Sequence, residues 1–128
     1  KGIIADCGFS YPDDMVLNFG RKHFRLVGAC TVKRLTRWCR RKAGFGFDDY
    51  SVPEALKDCD IPVLFIHGRA DTFVPCSMTI QNYEACRGRK RLLLVEGADH
   101  CGSYLKDREA YMEAVRWIWE QNDGNKAE

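Results

Sequence analysis

Three short apolar runs, at residues 2–7, 62–67 and 92–95, each stop at a cluster of turn-forming residues. Brief apolar runs bounded by breakers fit buried strands, and the stretches between them have helical length and spacing. Strands that alternate with helices predict βαβ units and a parallel sheet covered on both faces. The same pattern decides where chemistry can gather. An open parallel sheet builds its sites just beyond the carboxyl ends of its strands.

Two of those strand ends carry the informative side chains. The second run leads into His67-Gly68-Arg69-Ala70-Asp71-Thr72-Phe73-Val74-Pro75, which delivers a carboxylate. The third leads into Gly97-Ala98-Asp99-His100-Cys101-Gly102, which delivers an imidazole. The interval between Asp71 and His100 has room for one helix and one strand.

The chain has 128 residues, enough for one small domain with a modest core. Its formal net charge of +2 is too small to imply a nucleic-acid partner. No apolar run approaches the roughly 20 residues that span a bilayer, so no membrane partner is expected. The seven cysteines contain no Cys-x-x-Cys and no metal-ligand spacing. Their odd number argues against a disulfide framework and for reduced thiols in the cytoplasm.

Between the first two strands the character changes. Residues 15–47 hold no acidic side chain, while nine Lys or Arg fall between Arg21 and Lys42. Thr31, Leu35, Trp38, Cys39 and Lys42 recur at the spacing of an amphipathic helix, which Gly44 and Gly46 should end. Ser51, Pro53 and Glu54 outline a capping box that opens a short helix at 53–57. A helix is expected at 77–85, with Ser77 as its N-cap, and a last one at 107–121. Tyr111, Ala114, Val115 and Ile118 form the core face of that last helix. Residues 10–14 read as a turn, and 122–128 as a flexible tail.

His67-Gly68, Asp71, Val74-Pro75, Gly97 and His100 resemble the C-terminal half of the α/β-hydrolase superfamily, in particular the prolyl-oligopeptidase-like and esterase-like serine hydrolases. The resemblance implies a partial α/β-hydrolase fold over 1–121, with three parallel strands and the N-terminal half of the sheet missing. It implies hydrolysis of an ester, thioester or amide bond in a small molecule or peptide, without a cofactor. Asp71 would hold His100 in the required tautomer, and His100 would act as general base and then general acid. Asp71 also fits a plain turn-forming role, and His100 that of an ordinary loop histidine. His67, at a strand end before Gly68, reads as structural. Asp6 also ends a strand and is the rival acid, but the motif around Asp71 is fuller.

The nucleophile is absent. No Gly-x-Ser-x-Gly turn occurs, and Ser10, Ser77, Ser103 and Cys7 lie in no equivalent strand-turn-helix elbow. The start at Lys1, directly before a strand pattern, is expected to mark a piece of a longer chain. A strand at 3–7 (Ile3, Ile4, Ala5, Asp6, Cys7) that has lost its neighbour would seek the missing half of the domain or a second copy, giving a homodimer through that edge. The basic segment at 21–42 admits two readings. One is a solvated cationic face, and the other a binding module for anionic partners in which the Asp–His pair is idle.

Overall fold

The computed structural model describes residues 1–24 and 28–123. Its sheet has three parallel strands in the order β1 (Ile3–Asp6), β2 (Val63–Gly68) and β3 (Lys90–Val95). Helices α1 (Pro12–His23), α2 (Ala29–Ala43) and α3 (Val52–Lys57) connect β1 to β2. Helix α4 (Cys76–Ala85) leads from β2 to β3, and α5 (Ser103–Lys106) and α6 (Arg108–Asp123) follow β3.

The central strand organises the core because both of its faces are covered. Val63 and Phe65 pack with Leu56 and Cys86 on the α3–α4 side, and Leu64 and Ile66 with Ala114 and Ile118 on the α6 side. Burying each large aliphatic or aromatic side chain contributes about 1.5–3 kcal/mol, which explains a strand without a polar position before His67. The expected α6 face is present, since Tyr111 and Val115 pack against the same cluster. β1 is an edge strand among the described residues. Its Ile3 and Ile4 are 40% and 44% exposed, so the apolar run expected to be buried meets solvent.

Several local expectations change. Residues 12–14 open α1 instead of closing a turn: Pro12 stands in the first helical turn, with Asp13 and Asp14 favourably placed against the helix dipole. Helix α2 ends as expected at Gly44, whose φ of 81° lies in the left-handed region and whose N–H donates to the Arg40 carbonyl. Its buried side chains, however, are Val32 and Thr36, while Leu35 and Trp38 are 40% and 58% exposed. Ser51 caps α3 as expected, accepting from the Glu54 N–H. Pro75, not Ser77, caps α4, and Ser77 lies within the helix. The expected tail at 122–128 lies outside the described residues from 124 onward, and α6 runs to Asp123.

Candidate active site

The loops after β2 and β3 are tied together through their backbones. Arg69 N–H donates to the Val95 carbonyl at 2.9 Å and Ala70 N–H to the Ala98 carbonyl at 3.0 Å. Gly68 makes this approach possible. A β-carbon there would stand 2.2 Å from the Ala98 carbonyl oxygen, a distance no side chain tolerates. Asp99 reinforces the tie by accepting from Thr72 N–H at 3.2 Å and from His100 N–H at 2.8 Å.

These contacts bring Asp71 and His100 together: His100 Nδ1 lies 2.8 Å from Asp71 Oδ2. The other carboxylate oxygen accepts from the N–H groups of Phe73 and Val74 at 2.8 and 2.9 Å, a local turn of the Asx type. The turn expected of Asp71 and its contact with His100 therefore coexist in one side chain. The Asp71 carboxylate is shut off from solvent, whereas the His100 ring is 35% exposed. Burial alone would push the Asp71 carboxyl up, but the hydrogen bonds from His100, Val74 and Phe73 hold it below its ordinary value.

His67 holds the floor of this loop. Fully buried, it places Nε2 3.1 Å from both the Val74 carbonyl and Asp71 Oδ2, and Nδ1 2.6 Å from the Thr79 hydroxyl. Nε2 faces two acceptors, and Nδ1 faces the oxygen of the Thr79 hydroxyl, whose one proton goes to the Gly8 carbonyl at 3.0 Å. The Asp71 carboxylate is thus oriented from beneath by a ring and from the side by two amides.

The rival acid has another occupation. Asp6 Oδ2 accepts from the Tyr111 hydroxyl at 3.0 Å, and Oδ1 lies 3.3 Å from Cys7 Sγ. Burial, and then the neighbouring Asp6, push the Tyr111 phenol up to about 12. Burial likewise pushes the Cys7 thiol up to about 12, against a donated N–H from Cys101 that pulls it down. Ser10 and Ser103 are fully buried, and Ser10 donates to the Met78 carbonyl.

The basic segment reaches the site through α1. Lys22 Nζ donates to the Thr72 carbonyl at 2.7 Å. Phe19 meets Phe73 edge-on at 6.1 Å between centroids, and Phe73 meets the His100 ring at 4.9 Å. Phe19 and Phe73 are neighbours of the candidate site that sequence reasoning passed over. The one signal available was Phe73 inside the loop motif.

No protein-family model matches the chain. The uncharacterised protein YqkD of Bacillus subtilis is 31% identical over 113 residues, which are 88% of this chain and 37% of that protein. A Pyrococcus furiosus esterase superposes on 94% of this chain and 44% of its own length, with a TM-score of 0.65 at 17% identity. An α/β fold family hydrolase from Bacillus anthracis covers 91% of this chain and 58% of its own length, at a TM-score of 0.62 and 14% identity. An acetyl xylan esterase from Thermoanaerobacterium covers 94% and 38%, at a TM-score of 0.60 and 17% identity. The chain spans well under half the length of the first of these relatives.

Proposed function

Starting from an α/β-hydrolase fold, which these superpositions establish for the three strands and their helices, we propose that the chain supplies the acid and the histidine of a serine-hydrolase site. The carrying observation is the 2.8 Å contact between Asp71 and His100 at the carboxyl ends of neighbouring parallel strands. Asp71 fixes the ring with its proton on Nδ1, which leaves Nε2 free to take a proton from an attacking hydroxyl and return it to the leaving group. The bond cleaved is an ester, thioester or amide of a small molecule or peptide. The nucleophile and the oxyanion donors come from elsewhere in a longer protein, since none of the serines of this chain sits in a suitable turn.

The open side of β1 is where that remainder pairs. An apolar groove of about 510 Å³ runs over the α3–α4 face of β1 and β2, lined by Ile3, Ala5, Phe9, Tyr50, Leu56 and Phe65 among others. A second copy of this chain is the rival occupant of the same edge. The seven free cysteines fit a reducing cytoplasm, and among the described residues no helix is long and apolar enough to cross a membrane.

Fluorophosphonate labelling of the intact protein tests the reading. Labelling at a serine outside residues 1–128, and its loss in His100→Ala, is the expected result. Labelling of any serine within 1–128, or of His100→Ala as strongly as wild type, overturns it. A second reading draws on α2, where Arg34, Arg37 and Arg41 surround exposed Trp38: an intact protein that resists labelling yet retains anionic partners is a binding module.

A further inference from the structure

The carboxyl ends of β1 and β3 gather a second group of side chains around His100. Cys7 follows β1 and Cys101 follows His100, and the two sulfurs and a ring nitrogen of His100 all lie within 4.8 Å of one another. The Cys101 N–H donates to Cys7 Sγ at 3.2 Å, which ties the two loops at this point. Both cysteines hold left-handed backbone, φ 54° at Cys7 and 55° at Cys101, which non-glycine residues keep only where their surroundings impose it.

We propose that Cys7, His100 and Cys101 bind one zinc-like metal ion, and that its capture withdraws His100 from proton transfer. The metal-binding half of this stands without the hydrolase reading, and only its inhibitory consequence rests on that reading. Two sulfurs and one imidazole nitrogen are the donor set that favours zinc or copper(I) over magnesium or calcium. Three protein ligands leave a fourth tetrahedral position open to water. With Zn–S near 2.3 Å and Zn–N near 2.0 Å, tetrahedral ligand atoms stand roughly 3.5–3.8 Å apart, so no separation needs to close by more than about 1.3 Å. Each thiol releases its proton to solvent as it ligates.

A neighbouring set, Cys7 with His67 and Asp71, is as compact but unsuited. Both ring nitrogens of His67 and both oxygens of Asp71 already have partners, and the two side chains are buried. Cys101, by contrast, is exposed and His100 partly so, which gives an ion a way in.

The test is a titration of the reduced, intact protein with Zn²⁺ against a chromophoric chelator, repeated with Co²⁺ to read its thiolate charge-transfer band. One ion per chain is expected, with affinity on the order of 100-fold lower or worse in Cys101→Ala and in His100→Ala. Cys59→Ser should bind as wild type does. Circular dichroism confirms that Cys101→Ala, altered at an exposed position, keeps its fold. No tight ion in the wild type, or unchanged affinity and an unchanged cobalt band in Cys101→Ala, overturns the proposal. Because no substrate enters the titration, it can fail while the labelling result stands, and the reverse holds equally.

Discussion

The loops beyond β2 and β3 and the basic helix α2 are both polar and both rich in titratable groups, yet they are built in opposite ways. At the strand ends each group is committed: the Asp71 carboxylate meets two backbone amides and two rings, and Asp99 joins the loops. On α2, among the described residues, Arg40 alone of the cations has acidic partners, Asp48 and Asp49, and these pairs are exposed. Exposed pairs contribute about 0–1 kcal/mol. Density of mutual constraint therefore distinguishes the candidate site from a charged surface, where charge alone does not.

The sharpest break in that contrast is Asp71→Asn in the intact protein. Asparagine keeps the shape but permits the wrong tautomer of His100, and turnover of an activated ester should fall on the order of 10⁴-fold. Retention of most of the activity would place Asp71 among ordinary turn residues. Gly68→Ala comes next, because its β-carbon meets the Ala98 backbone. Separating the loops should cost about 1–3 kcal/mol in chemical denaturation, with activity falling too. Thr79→Val takes the hydroxyl from His67 Nδ1 and the donor from the Gly8 carbonyl, and should cost about 1–3 kcal/mol.

Acid titration asks for less but tests the same network. Because the folded state holds the Asp71 carboxyl below its unfolded value, its contribution to stability is present above the unfolded value, about 3.9, and is lost as pH falls through the folded one. Denaturation midpoints followed downward from pH 6 should drop more steeply in wild type than in Asp71→Asn. The smallest effect is expected on α2, where replacing Arg34, Arg37 and Arg41 together by Gln should leave stability within about 0.5 kcal/mol per site. A large loss there would mean that the helix is held by contacts its exposure does not reveal.

The chain was legible where local pattern and tertiary environment agree. Val63 to Ile66 are apolar throughout because both faces of the strand are covered, so the run could be read as a buried parallel strand. The meeting of Asp71 and His100 followed from two strand-end loops in the right order. Pro12-Asp13-Asp14 misled because the same residues serve a turn and a first helical turn. Leu35 and Trp38 misled because an apolar residue on a helix need not face the core, and the neighbouring register of Val32 and Thr36 does. The approach of Cys7 to Cys101, 94 positions apart, had no trace in local spacing. Only the parallel order of the strands brings those ends together.

That register also sets an order of assembly. Val63 pairs forward with Lys90 and backward with Ile3, and the backward loop is about twice as long. Each doubling of a flexible loop adds about 0.6 kcal/mol of closure entropy, and long-range parallel pairing is slow for the same reason. The β2–α4–β3 unit is therefore expected to condense first, which sets the Asp71 loop beside the strand end from which His100 follows. β1 is then recruited last, across the long helical excursion, and Cys7 reaches its neighbours only in that final step. In amide exchange, Ile3 to Asp6 should open at lower free energy than Val63 to Ile66, so the first strand behaves as a late and detachable addition to a kinetically earlier core.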